Sequence, residues 1–240
     1  MSKTIAVIGA GAGLGQAVAR RFGREGFGVA LVARTAARVG VLADELRGEG
    51  IDAAAFPCDV ADRALVTSAI DAITERFGQV DVVEFAPAGL DWLQRITPVL
   101  DTTAESLEYP FDLLLRAPMA VFGAVLPGMI ERRDGALLMG TGISAGKAYP
   151  QMGNIGMAMA AARNYQLNLS AALADTGVYA GLLQVGGGIA GSDAIREYGK
   201  TRDFGELIDP ADLAATYWDM YVKRDRFEEL VRPTLVNQPD

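Results

Sequence analysis

The 240-residue sequence contains no histidine. That absence excludes a Ser-His-Asp or Cys-His triad, a histidine-ligated metal and a histidine general base. Acid and base chemistry must then use carboxylates, lysine, tyrosine, serine or water. Cys58 is the sole cysteine, which removes an intramolecular disulfide framework and a cysteine-based metal site, and fits a reducing cytoplasm. Positive charge is in deficit: 22 Lys and Arg stand against 30 Asp and Glu, net charge is −8, and basic residues never cluster beyond a pair. Such a chain is a poor partner for nucleic acid or anionic membrane, and its acidity serves solubility. No apolar run reaches 18 residues, and the apolar start lacks a basic region followed by an uninterrupted apolar core. The expectation is a soluble, unprocessed, cytoplasmic protein that does not span a membrane.

What is present is concentrated first in Thr4 to Phe22, TIAVIGAGAGLGQAVARRF. Ile5 to Ile8 form a short apolar run suited to a central parallel strand. Gly9, Gly11, Gly13 and Gly15 remove side chains where the chain must turn sharply. Leu14, Val18 and Phe22 then recur four apart and put one apolar stripe on a helix. A strand, a glycine loop and a helix start leave backbone N–H groups at a helix N-terminus, where they and the helix dipole attract a pyrophosphate. The same glycines also suit a plain tight turn. A following strand at Val29 to Ala33 favours dinucleotide binding.

Half of the residues are apolar, enough for one α/β domain spanning 1–240. After the second strand, Thr35 is placed to cap a helix carrying Val39, Leu42 and Leu46 on one face. Arg34 sits at that junction, where a guanidinium favours the 2′-phosphate of NADP; a solvated loop arginine is the plain alternative. Ile51 to Phe56 reads as the third strand and is followed by Asp59, which either meets a ligand or caps a turn. A helix over Leu65 to Phe77, with Leu65, Ala69, Ala72 or Ile73, and Phe77 on its stripe, leads to a fourth strand, Val80 to Ala86. Glu84 interrupts that strand, and is either buried with a partner or near the pocket. The loop from Ala86 to Gly89, with Asp91 and Trp92 beyond it, forms a candidate wall of a substrate site. A long helix over Phe111 to Met129, a strand at Ala136 to Met139, a Gly-rich segment from Gly140 to Gly156 bearing Ser144, Lys147 and Tyr149, a helix over Met157 to Leu173 and a strand at Val178 to Gln184 follow. The methionines of the Met157 to Leu173 helix suit core or interface packing rather than cofactor contact. Residues 186–208 read as a flexible loop and lid, and Asp209 with Pro210 opens a last helix.

This order of parts resembles the short-chain dehydrogenase/reductase family from Ile5 to about Gly188. The family's Gly-x-x-x-Gly-x-Gly loop falls on Gly9, Gly13 and Gly15, its NADP-selecting arginine on Arg34, its Asp-Val on Asp59 and Val60, and its Leu-Pro-x-Met helix end on Leu126, Pro127 and Met129. The resemblance implies a Rossmann-type, doubly wound parallel sheet with helices on both faces, three layers in all. It implies NADP(H) held by Gly9, Gly13, Leu14, Gly15, Arg34, Asp59, Val60, Ala86 and Gly186, a small-molecule substrate, and a homodimer or homotetramer paired through the two long helices.

The family's catalytic Asn, Ser, Tyr and Lys are missing. Their positions fall on Leu114, Gly142, Ile155 and Met159, and no Tyr-x-x-x-Lys occurs anywhere in the chain. In carbonyl reduction an acid protonates the developing alkoxide, and losing a positioned acid typically forfeits ~10²- to 10⁴-fold in rate. Three readings stand. The first is an atypical NADP(H)-dependent oxidoreductase acting on a carbonyl, an enone or an imine or iminium, with a relocated or absent proton donor. Tyr149 and Ser144 are the candidates, against the plain reading of Tyr149 as a surface loop residue. The second is a non-redox isomerase or lyase using Glu84 or Asp91 as base. The third is a non-catalytic NADP-binding sensor or partner protein.

Overall fold

A computed structural model describes residues 2–88, 90–201 and 203–233, and for Leu90 and Asp91 the backbone alone. Seven strands form one parallel sheet in the order β3-β2-β1-β4-β5-β6-β7. In chain order they are β1 (Thr4–Ile8), β2 (Gly28–Ala33), β3 (Ala53–Pro57), β4 (Val82–Phe85), β5 (Gly135–Gly142), β6 (Val178–Val185) and β7 (Glu228–Val231). The main helices are α1 (Leu14–Arg24), α2 (Ala36–Gly48), α3 (Arg63–Phe77), α4 (Leu90–Gln94), α5 (Ala104–Phe111), α6 (Ala117–Glu131), α7 (Gly153–Ala172), α8 (Asp193–Tyr198) and α9 (Pro210–Lys223). The strand order reverses between β1 and β4. In open α/β sheets that reversal opens a crevice at the carboxyl ends of the strands.

Alternation along the strands builds the three layers. Ile5 and Val7 of β1, Leu31 of β2 and Leu138 of β5 pack with Val18 and Phe22 of α1, Leu42 and Leu46 of α2 and Tyr217 of α9. Ala6 and Ile8, with Val83 and Phe85 of β4, face α3, α6 and α7 through Val66, Ile70, Phe122, Val125 and Ala162. The predicted stripe Leu14, Val18 and Phe22 is buried, and enclosing a ring such as that of Phe22 is worth ~1.5–3 kcal/mol. Across the outer surface of this face, Arg20 pairs with both Glu45 and Glu49, linking α1 to α2.

Several expectations need correction. On α3 the expected Ile73 is buried and Ala69 and Phe77 pack against the core, but Leu65 is exposed and the fully buried face is Val66, Ile70 and Ile73, which puts β-branched side chains against the sheet. Thr35 occupies the N-cap of α2 without making a side-chain cap bond. The segment expected as one helix over Phe111 to Met129 begins earlier, at Ala104, and widens into a π-helical turn at Asp112–Arg116, where Ala117 N–H bonds Asp112 O. The widening precedes Pro118, which has no N–H to give the Leu114 carbonyl, so a regular α-ladder would leave that acceptor empty. By length and composition alone, Ala104–Glu131 is also long and apolar enough to cross a membrane, with a mean hydropathy of 1.8 over its most apolar window. Within this fold its Val121, Phe122, Val125 and Met129 are buried in the core. The 186–208 segment, expected as a flexible loop and lid, contains helix α8, capped by Ser192, and a bridge between Ile189 and Ile208. Strand β7 was not foreseen from the sequence.

Candidate active site

The reversal point carries a cleft of about 570 Å³. Its floor is the loop after β1, where Gly9 and Gly13 have φ of 103° and 96°, a region that favours glycine. A Cβ on Gly9 would lie 2.8 Å from Ala86 O, and one on Gly15 would lie 2.4 Å from Gly9 O, so both positions need bare backbone. Gly11 lines the cleft, and a Cβ there would meet nothing nearer than 3.9 Å; a side chain at that position would stand in the cleft itself. Gly9 N and Ala10 N both donate to Val32 O, at 2.9 and 3.1 Å, which ties the loop to the end of β2.

From that end of β2 come Arg34 and, one helical turn later, Arg38, and both line the cleft. Arg38 donates to Asp193 Oδ1 at 2.7 Å, joining α2 to α8 across the opening. That hydrogen bond and the Asp193 charge hold the guanidinium pKa above its ordinary value. Cys58, Asp59 and Val60 form part of the opposite wall. Burial, together with the charges of Asp59 and Asp62, pushes the Cys58 thiol up and leaves it a poor nucleophile. Asp59 makes the turn bond expected of it, Oδ1 accepting from Ala61 N at 3.1 Å, and the residue also lines the cleft. Tyr109 and Leu113, with Pro87 and Ala88, line the remaining side.

The predicted cofactor residues therefore divide. Gly9, Arg34, Asp59 and Val60 line the cleft. Leu14 is buried in the core, and Gly15 packs on the Gly9 carbonyl. Gly13 lies under Ser192, whose Cβ would be 3.2 Å from a Cβ there. Ala86 supports Gly9 from below. Gly186 is not among the residues lining the cleft, and a Cβ there would meet Arg232 Cγ at 2.7 Å. Arg38, Tyr109, Asp193 and Arg196 were missed. Arg38 was findable, since i,i+4 spacing from Arg34 puts two guanidinium groups on one side of a helix start.

The four positions aligned with the family's catalytic residues, Leu114, Gly142, Ile155 and Met159, converge in space. Leu114, Ile155 and Met159 join Trp92, Ile96, Ala145 and Met152 in one apolar cluster. A Cβ on Gly142 would lie 3.1 Å from Met159 Sδ, and Ser144 Oγ lies 3.1 Å from the same sulfur. Ile155 has no exposed surface. Tyr149 and Lys147 are exposed, and neither lines the cleft. Glu84 is wholly buried in β4, has no hydrogen-bond partner among the described residues and is outside the cleft lining. The Asp91 side chain lies outside the described residues. Among those residues no His, Cys, Asp and Glu group is arranged to hold a metal.

A family model for short chain dehydrogenases matches residues 3–199. The chain belongs to that family. A short chain dehydrogenase of the fungus Pseudocercospora fijiensis is 29% identical over 187 residues, which cover 77% of this chain and 59% of the relative. The chain thus matches less than two thirds of that dehydrogenase's length. Among solved structures, a short chain oxidoreductase from Pseudomonas aeruginosa described as containing an atypical catalytic center superposes with a TM-score of 0.86 at 21% identity, covering 99% of this chain and 98% of the other. An alcohol dehydrogenase from Thermococcus sibiricus complexed with 5-hydroxy-NADP gives 0.81 at 23% identity with full coverage of both. These likenesses establish the Rossmann-type fold of the chain.

Proposed function

We propose that this short chain dehydrogenase is an NADP(H)-dependent oxidoreductase that reduces or oxidises a small organic substrate without the family's usual proton donor. The observation that carries the reading is one cleft with a bare glycine floor at one side and two arginines, Arg34 and Arg38, at the end of β2. That donor set suits a dinucleotide with an additional phosphate: backbone N–H groups for the pyrophosphate, guanidinium groups for the 2′-phosphate. NADP(H) complexes among its structural neighbours support the same choice.

Bound there, the reduced cofactor supplies hydride. The chain's own residues then decide which acceptors are served. Leu114, Gly142, Ile155 and Met159 offer no proton to an alkoxide, so simple ketones are poor substrates unless water or Ser144 donates. An iminium ion already carries its proton: hydride adds to its carbon, the C=N π pair passes to nitrogen and a neutral amine results, so iminium ions, including imines protonated in solution before they bind, are the acceptors best matched to a site with no proton donor. The same lack of polar groups favours a second reading, a non-catalytic NADP sensor. The same reading takes the protein as cytoplasmic and as a homodimer or homotetramer paired through α6 and α7, an assembly supported by the exposed Met119, Ile130, Met157 and Leu167 on those helices.

NADPH binding followed by fluorescence tests the shared premise, and the absence of binding overturns it. Cofactor oxidation is then measured across ketones, enones and cyclic imines. Turnover of imines above ketones supports the oxidoreductase, while binding without turnover on any of them leaves the sensor.

A further inference from the structure

Two polar side chains lie between the sheet and the α1–α9 layer with no hydrogen-bond partner among the described residues. Glu84, in the middle of β4, has no exposed surface, and both of its carboxyl oxygens are unpartnered; the Tyr217 hydroxyl of α9 is equally enclosed and equally unpartnered. Val82 and Ala86, two residues to either side of Glu84, belong to that layer, and strand alternation puts Glu84 on the same face. The elements packed there present Val7 from β1, Leu138 and Gly140 from β5, and Val18, Ala19 and Phe22 from α1. Of the two tyrosines that α9 contributes to this layer, Tyr217 and Tyr221, it is Tyr217 whose hydroxyl has no partner. The other tyrosines of the layer are engaged elsewhere: Tyr179 donates to Arg226 O, and Tyr221 accepts from Lys3, which also pairs with Asp134 at the amino end of the sheet.

Nothing in this layer compensates a carboxylate charge. Burial moves the Glu84 pKa up to about 8, and burial followed by the Glu84 charge moves Tyr217 well above its ordinary value. At neutral pH Glu84 is therefore an uncharged acid.

Its position joins it to the glycine loop. In the β1–β4 ladder Val7 is opposite Glu84 and Ile8 opposite Phe85, and Ala86 N donates to Ile8 O at 3.0 Å. Gly9 follows at once, close against the Ala86 carbonyl, while a Cβ on Gly140 would lie 2.8 Å from the Tyr217 hydroxyl and 2.7 Å from Ala86 Cβ. Ala86 is therefore held between the cradle above it and the Tyr217 layer below.

We propose that Glu84 is a proton-operated switch for the nucleotide cradle: while its carboxyl is neutral, β4 stays seated and Ala86 supports Gly9, and when the carboxyl ionises β4 shifts to hydrate the charge and nucleotide affinity falls. The proposal rests on the NADP(H) reading above. The sign follows from the direction of the shift. A carboxyl whose pKa is higher in the folded state contributes stability that is complete below its unfolded value, ~4.3, and that is lost as pH rises toward the folded value near 8. Nucleotide affinity falls as pH rises through that folded value.

The test follows NADP⁺ affinity by calorimetry, and the thermal midpoint without nucleotide, from pH 6.5 to 9.5 in the wild type, Glu84→Gln and Glu84→Met. Comparison with the variants cancels the titration of the ligand itself. Wild-type affinity is expected to weaken about tenfold per pH unit above pH 8 relative to both variants, with its thermal midpoint declining relative to theirs between pH 6.5 and 8. If Glu84→Gln does not fold, Glu84→Met alone carries the comparison. Parallel affinity curves overturn the switch even where the thermal curves diverge, because Glu84 then acts on stability alone. Absence of NADP⁺ binding by all three proteins overturns the switch and the cofactor reading together.

Discussion

Asn154 supplies Ser106 with the hydrogen bond that Pro110 cannot. Ser106 O lies four residues before Pro110 in α5, where a regular helix would offer it an N–H, and Asn154 Nδ2 donates to it instead at 2.9 Å. The same amide donates to Arg95 O at 2.8 Å, and its oxygen accepts from Thr97 N and Ile155 N, both at 2.9 Å. One enclosed side chain thus joins the start of α7, helix α5 and the 95–97 segment. It thereby sets the Trp92 and Ile96 wall against Ile155.

Asn154→Ala is expected to lower folding stability by ~2–4 kcal/mol, because it strands several buried groups at once. Urea denaturation measures this. A loss below 1 kcal/mol would show that the network is replaceable by water.

Replacing Arg34 with Asp is expected to weaken NADPH binding by ~10- to 100-fold while sparing NADH, the loss of one charge-assisted phosphate contact being ~1.5–3 kcal/mol. Arg38→Ala should act in the same direction. Its exposed ion pair with Asp193 contributes at most ~1 kcal/mol to stability. Titrating both nucleotides against each variant separates phosphate recognition from general damage; equal losses for NADH and NADPH would remove these arginines from the phosphate site.

Gly15→Ala brings a methyl group to 2.4 Å from Gly9 O. Because the obstacle is backbone, the loop has to move. Nucleotide affinity is expected to drop by at least about tenfold, and stability by ~1–3 kcal/mol. Calorimetry and thermal unfolding check the two effects separately.

Tyr149→Phe is expected to leave turnover unchanged for imine substrates, since that tyrosine is exposed and outside the cleft. A rate loss of 10²-fold or more would instead identify it as the proton donor. Conversely, Ile155→Tyr adds volume at a position with no exposed surface and should destabilise by ~1–3 kcal/mol without creating ketone reduction.

The acid limb of stability depends in part on Glu228. The hydrogen bond from Arg163, partly opposed by burial, holds its carboxyl below the ordinary value. Its contribution is present above the unfolded value, ~4.3, and is lost as pH falls through the lower folded value. Arg163→Leu should flatten the decline in thermal midpoint between pH 5 and pH 3, which a pH series of melting curves would read.

The sequence by itself determined the alternation of strands and helices, the glycine loop and the absence of any Tyr-x-x-x-Lys, because each is a local pattern. Ile5 to Phe22 needs no partner to declare a strand, a bare turn and an amphipathic helix, and the absence of Tyr-x-x-x-Lys can be read from order alone. Tertiary structure decided everything that depends on which chain segments meet. It placed Val66 rather than Leu65 against the sheet and added β7 as an edge strand. It brought Arg38 to Asp193 across 155 positions, and gathered Leu114, Ile155 and Met159 into one apolar cluster. It also enclosed Glu84 without a partner, a condition invisible in sequence because burial is set by packing and not by the identity of neighbouring residues.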